Sequence, residues 1–254
     1  MHHEPITVAD VEVIPLCDGS GPMGPSLRRP LPELFPGAAP EDWAGTPDPE
    51  WVLHFHCYLL RDRRGRTVLV DTGIGGLDSP AASWAPVPGS LTGELAAAGV
   101  APADIDVVVL THLHSDHASG ATDGVAPAFP GARYVLQRAE VDWVTGPVRD
   151  YVLTPLADHL DVVDGDAEVL PGIRVRHTPG HTPGHQVVRV GPLTLTGDLI
   201  LHPVQLRNPR ITYRYDTDPT QAAATRATLL DELRGSPGAT VATAHFPIPF
   251  TPLS

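Results

Sequence analysis

Residues 107–120 read VVVLTHLHSDHASG, an apolar run that breaks directly into His112, His114, Asp116 and His117. The run VVVL after the polar Asp106 suits a buried strand. Four ligand-type residues in the six positions 112–117, at a strand end, are not a packing pattern. In an extended segment, residues two apart point the same way, so His112 and His114 can share one metal. After a turn, Asp116 and His117 can reach a second position nearby. Histidine is a common metal ligand, and three histidines with an open water position make a catalytic zinc arrangement.

Three later segments extend the pattern: HTPGHTPGH at 177–185, TLTGD at 194–198 and TAHFP at 243–247. Each presents a ligand-type residue at a predicted strand end or in a tight Pro-Gly turn. Such rigid scaffolding is what metal geometry requires. His181, Asp198 and His245 thereby join the candidate set.

Strands are expected at Val8–Leu16, Phe55–Leu60, Thr67–Val70, Asp106–Leu110, Arg133–Leu136, Ile173–Arg176, Gln186–Val190, Leu193–Thr196 and Thr240–Thr243. Helices are expected at Leu91–Ala98, with Ser90 as N-cap and Gly99 as stop, and at Ala139–Val144, Val148–Ala157 and Thr220–Arg234. Strands come in runs, which argues for sheets with helices on their outer faces and against a doubly wound dinucleotide-binding domain. The glycines after Asp71 have the wrong spacing for a dinucleotide fingerprint.

The 254 residues carry a formal net charge of −13, which disfavours a nucleic-acid partner. Cys17 and Cys57 are the only cysteines, too few for a disulfide framework or a cysteine-based zinc site. No apolar run approaches the ~18 residues of a membrane span, and the N-terminus lacks a signal-peptide core, so a soluble, cytoplasmic protein is expected. The Pro/Gly-rich stretch at about 19–50 has apolar anchors in Leu31, Leu34, Phe35 and Trp43, and reads as a packed covering segment.

HxHxDH followed by PGH, GD and a late histidine resembles the metallo-β-lactamase superfamily, from the first strands through Asp71-Thr72-Gly73 to His245. The resemblance implies an α/β fold, a four-layer αβ/βα sandwich formed as a single domain over 1–254, with metals at one edge. It implies that His112, His114 and His181 hold one metal, that Asp116, His117 and His245 hold a second, and that Asp198 bridges them. Asp71 would support a ligand histidine from behind. The cofactors are then two divalent ions, zinc by default, with manganese, cobalt or iron as alternatives. A water bridging two such ions has its pKa lowered toward ~7, and the resulting hydroxide attacks a carbonyl or phosphoryl centre. Asp116 and Asp198 are the candidate catalytic residues, Asp116 also as a proton relay.

The stretch GDLILHPVQLRNP…DTDPTQAAATRATLLDEL…AHFPIPF resembles the branch containing methyl parathion hydrolase and lactonase-like hydrolases. This implies a small-molecule lactone, ester or related neutral substrate, no nucleic-acid or membrane partner, and a monomer or homodimer. An iron-dependent oxygenase, or a cyclase or dehydratase using the metals as Lewis acids, are the alternatives on the same fold. The pocket is expected to be shaped by 19–50, 145–155 and 202–216, with Phe246, Ile248 and Phe250 adding apolar surface beside the second metal. Arg207, Arg210 and Arg214 could gather at its mouth. His54, His56 and His177 read as structural, His185 as a packing residue or a support behind a ligand, His2 and His3 have no role, and His202, Tyr213 and Tyr215 are open between pocket and core.

Overall fold

The computed structural model describes residues 3–44 and 51–253, so His2 and positions 45–50 of the expected covering segment lie outside the described residues. Among the described residues, thirteen strands form two sheets. The first runs in sequence order: β1 (Ile6–Val8), β2 (Val11–Pro22), β3 (Val52–Asp62), β4 (Thr67–Val70), β5 (Val107–Val109), β6 (Arg133–Gln137) and β7 (Leu160–Val163). The second has β8 (Ala167–Leu170), β9 (Ile173–His177), β10 (Gln186–Val190), β11 (Leu193–Leu195), β12 (Thr240–Ala242) and β13 (Phe250–Pro252), in the order β13-β12-β11-β10-β9-β8.

Period-2 patterning decides which way each sheet faces. Val68, Val70, Val107 and Val109 point inward and meet Val175, Val188, Val190 and Leu195 of the second sheet. The intervening Leu69 and Val108 point outward, against Leu91 and Leu95 of the helix Leu91–Ala97. On the far side, Val187 and Val241 pack under Leu229, Leu230 and Leu233 of the helix Pro219–Arg234. These are the four layers expected, helix on sheet on sheet on helix. Among the described residues no helix is long and apolar enough to cross a membrane.

Several local expectations are corrected. The strand predicted at Val8–Leu16 is split by a two-residue hairpin at Ala9 (φ 47°) and Asp10 (φ 72°), both left-handed as a tight primed turn requires. Strand β2 then runs on to Pro22 and bulges between Cys17 and Gly19, turning Asp18 out of the ladder. Asp18 accepts from the amides of Ile74 and Leu91, both at 2.7 Å. Its carboxylate, not the Ser90 hydroxyl, therefore caps the helix Leu91–Ala97. The helix expected over Val148–Ala157 is broken into short pieces. Pro155 has no amide to continue it, and Thr154 N reaches back five residues to Arg149 O at 2.9 Å. Strands β7, β8 and β13 were not expected.

The covering segment is packed where described. Leu31, Leu34 and Phe35 join Leu201, Val204, Ile211 and Tyr213 in a separate apolar cluster beside one end of the sandwich.

Candidate metal centre

The ligand-type residues lie in connections that follow or join strands of both sheets. His112 and His114 follow β5, and the short helix Ser115–Ala118 presents Asp116 and His117. His181 sits in the turn between β9 and β10, Asp198 follows β11, and His245 follows β12. Thr111 O accepts from Gln186 N at 2.9 Å, tying the first of these connections to β10.

The seven side chains form two groups. In one, His114 Nδ1 lies 3.0 Å from His112 Nε2 and 2.9 Å from His181 Nε2. Asp198 Oδ2 completes this group, 3.2 Å from His181 Nε2 and 3.8 Å from His112 Nε2. In the other, Asp198 Oδ1 lies 2.9 Å from His245 Nε2 and 3.0 Å from His117 Nε2. Asp116 Oδ2 is 3.5 Å from each of those nitrogens. A tetrahedral zinc bound at roughly 2.0–2.1 Å has ligand atoms separated by roughly 3.3 Å. Both groups have that spacing.

Hydrogen bonding behind the rings fixes what faces inward. His117 Nδ1 lies 2.8 Å from Asp71 Oδ2, His181 Nδ1 lies 2.8 Å from Asp216 Oδ1, and His245 Nδ1 lies 2.8 Å from the His54 carbonyl. The Thr111 hydroxyl donates to Asp71 at 2.9 Å, so its lone pair accepts from His112 Nδ1 at 3.1 Å. These oxygens accept, so each Nδ1 carries hydrogen and, in the neutral ring, each Nε2 presents a lone pair. Lone pairs of four imidazoles then converge on the oxygens of one carboxylate. His117 Nε2 and Asp198 Oδ1 are buried with no well-aligned hydrogen-bond partner. Facing acceptors at this distance need a cation between them, and the donor set fits a dinuclear divalent centre.

Left to themselves, the side chains partition protons. Burial pushes His112 well below its ordinary value and His114 down to about 3. Burial opposes protonation of His181 too, but hydrogen bonds to Asp198 and Asp216 outweigh it and raise its pKa to about 9. His117 and His245 are raised in the same way against their burial, chiefly by Asp198. Asp198, despite burial, is held well below the carboxylate range by His117 and His245.

Two backbone features hold this arrangement. Asp71 has φ 60°, unusual for a residue with a side chain, and its carboxylate also accepts from Thr111 N at 2.7 Å. Gly197, at φ 47°, lies so close that an added Cβ would stand 2.8 Å from His185 Nε2 and Thr111 Oγ1. That approach lets His185 Nε2 accept from Asp198 N at 3.1 Å.

Residues 53–245 match the metallo-beta-lactamase superfamily. The chain belongs to that superfamily. Over 173 residues it is 34% identical to an N-acyl homoserine lactonase of Bacillus sp., covering 60% of this chain and 66% of that one. An N-acyl homoserine lactonase of Bacillus thuringiensis is 33% identical over 156 residues, 56% of this chain and 60% of that one. The chain thus spans less than two thirds of the length of these curated relatives. Among solved structures, AidC, a dizinc quorum-quenching lactonase in complex with a product, aligns with a TM-score of 0.82 at 22% identity, over 97% of this chain and 91% of that one. That likeness is one of fold.

Within this superfamily fold, a cavity of ≈ 420 Å³ opens onto His114, Asp116, His181, Asp198 and His245. Its walls come from the expected segments through Met23, Leu27, Thr145, Val148, Tyr213 and Tyr215, and also from Leu53, Trp84, Trp143 and Leu201. Phe246, Ile248 and Phe250 do not line it. Phe246 packs with Leu229 and Leu230, Phe250 packs at the inter-sheet core, and Ile248 is exposed. The three arginines do not line it either, and Arg207 instead donates to the Asp42 carbonyl at 3.0 Å. His202 is buried beside Phe35, and its ring nitrogen accepts from Val204 N at 3.2 Å, so it is structural. Tyr215 donates to Leu27 O at 2.8 Å and ties down the covering segment. Sequence reasoning missed Asp216 behind His181 and the His54 carbonyl behind His245. It also missed Arg226, whose buried guanidinium donates to the carbonyls of Leu199, Pro209 and Ile211.

Proposed function

We propose that the chain is a metal-dependent lactonase that opens the ring ester of a small, uncharged lactone bearing an apolar substituent. The observation that carries this reading is Asp198, whose two oxygens each meet a different histidine group at the floor of a largely apolar cavity. His112, His114, His181 and Asp198 would hold one ion, and Asp116, His117, His245 and Asp198 the other, with zinc the metal best suited to this donor set. When bound, the two ions supply Lewis acidity toward the ring carbonyl and a water acidic enough to ionise near neutral pH.

The chain's own residues do the rest. Met23, Leu27, Trp84, Trp143 and Val148 offer apolar surface to the substituent and exclude water. Neither arginine nor lysine lines the cavity among the described residues, which favours an uncharged substrate. Asp116 belongs both to the second group and to the cavity wall, so it can carry a proton from the attacking water to the leaving alkoxide. Burial, with Asp198 and Asp116 nearby, raises the Tyr213 phenol well above its ordinary value, so the cavity wall offers a neutral hydroxyl there.

The test is initial rates of zinc-replete protein on a medium-chain lactone, an aryl ester, a phosphotriester and a nucleotide, with metal content and oxygen uptake measured alongside. The lactone is expected to be turned over fastest, with no oxygen consumed. Faster turnover of the nucleotide, or oxygen uptake that tracks iron content, would refute the reading.

A further inference from the structure

Glu140 lies in the helix Arg138–Trp143, is fully buried, and touches none of the seven ligand-type side chains through its hydrogen bonds. Its Oε1 accepts from Leu113 N at 2.8 Å and its Oε2 from Gly184 N at 2.9 Å. Leu113 stands between His112 and His114. Gly184 stands in the turn that carries His181. One carboxylate thus clamps a connection of the first sheet to a connection of the second. The approach is so tight that a Cβ on Gly184 would lie 2.3 Å from Glu140 N and 2.4 Å from Glu140 Cβ. Glycine is required there for Glu140 to reach both amides.

The second group is held by other means. His117 is fixed by Asp71 and His245 by the His54 carbonyl, and neither contact involves Glu140. Glu140 is also a carboxylate in the protein interior whose two clamping donors are neutral backbone amides. A buried charge of that kind is costly unless it is balanced, and a dication at the neighbouring three-histidine group would balance it.

We propose that Glu140 is a positioning residue that sets the spacing of the His112/His114 pair against His181, and with it the metal affinity of that group alone. This rests on the reading of the site as a dinuclear metal centre. Replacing Glu140 by Gln keeps the volume but turns an amide NH2 toward one of the two backbone donors, so one arm of the clamp opens.

The experiment is zinc competition against a chromogenic chelator, in two backgrounds that each leave one group intact. In His245→Ala the three-histidine group remains. There Glu140→Gln is expected to weaken zinc binding by ~10–100-fold, the range seen when a residue orienting a ligand is lost. In His114→Ala the other group remains, and there Glu140→Gln is expected to change affinity by less than about threefold, because the hydrogen bonds that fix His117 and His245 do not involve Glu140. Cobalt absorption in the His245→Ala background should change shape as well as titrate later, which a mere loss of stability would not produce. Thermal melts of the metal-free proteins monitor folding. Where the Gln variant does not fold, Glu140→Asp, which keeps the charge but is one methylene too short to reach both amides, takes its place with the same expected pattern. Equal weakening in both backgrounds, or none in either, with a wild-type protein that binds two zinc ions, would overturn this inference alone. A wild-type protein that takes up no zinc would overturn the reading of the site together with it.

Discussion

Replacing Asp198 by Ala should cost the protein one metal ion before it costs the fold. The distances show which ion. Without Asp198, the group built on His114 keeps three ring nitrogens linked by contacts of 2.9 and 3.0 Å. The other group keeps His117 and His245, with Asp116 3.5 Å from each, and loses the carboxylate oxygen that lies within 3.0 Å of both. Stoichiometry is therefore expected to fall from two ions to one after dialysis against a weak chelator. Activity on the best lactone should fall at least ~100-fold, about 2.7 kcal/mol of transition-state stabilisation at about 1.36 kcal/mol per decade. Elemental analysis and kcat/KM on the same preparations make the assay. Two retained ions with near-normal kcat/KM would refute the argument, and so would loss of the ion at the three-histidine group first.

Other expectations follow from the same geometry. His181, raised from 6.5 to about 9, contributes stability to the metal-free protein that is fully present below pH 6.5 and is lost as pH rises through about 9, on the order of 3 kcal/mol; melts of chelator-treated protein at the two pH values check this, and equal Tm values would contradict it. Zinc uptake has the opposite trend, strengthening across that range because zinc displaces those protons, and competition titrations against pH should show it. Trp143→Ala removes an apolar wall of the cavity and should raise KM for a long-chain lactone roughly tenfold with kcat little changed, a loss of about 1.4 kcal/mol of binding; an unchanged KM would remove Trp143 from the substrate path. Arg226→Met leaves the buried carbonyls of Leu199 and Ile211 and the half-buried one of Pro209 without their donor, removes the guanidinium 3.9 Å from the buried Asp216 carboxylate, and should destabilise the protein by about 3–5 kcal/mol in a denaturant titration.

The seven ligand-type residues were legible because four of them are neighbours in sequence and the others lie in a Pro-Gly turn or just after short strands, with PGH, GD and AHF spellings. The two-sheet architecture was legible from period-2 runs such as TVLV and VVVL, whose alternate residues face opposite layers. What escaped is what long-range approach defines. Asp216, Glu140 and Arg226 carry no local signature, since each matters only because the fold brings a distant ring or carbonyl to it. Strands β7 and β8 are mostly half-exposed with polar interruptions, and β13 is only three residues, FTP, so their periodicity is weak. The apolar run after His245 misled because its aromatic rings turn into the layers between sheet and helix or between the sheets, away from the cavity.

Each of the two ligand groups draws residues from both sheets, with His112, His114, Asp116 and His117 on one side and His181, Asp198 and His245 on the other. Neither group exists in a chain that has formed only its N-terminal half. A complete site therefore forms only when the two halves have come together, so metal binding is coupled to closure of the sandwich. Affinities of divalent transition metals at such a site follow a common order, so the supply of metal acts beside geometry and ligand type in selecting the ion. The ion taken up by a newly made molecule then depends in part on which metals surround it when the halves meet. Two batches of the same polypeptide, produced in media of different metal content, are different reagents until they have been stripped and reloaded.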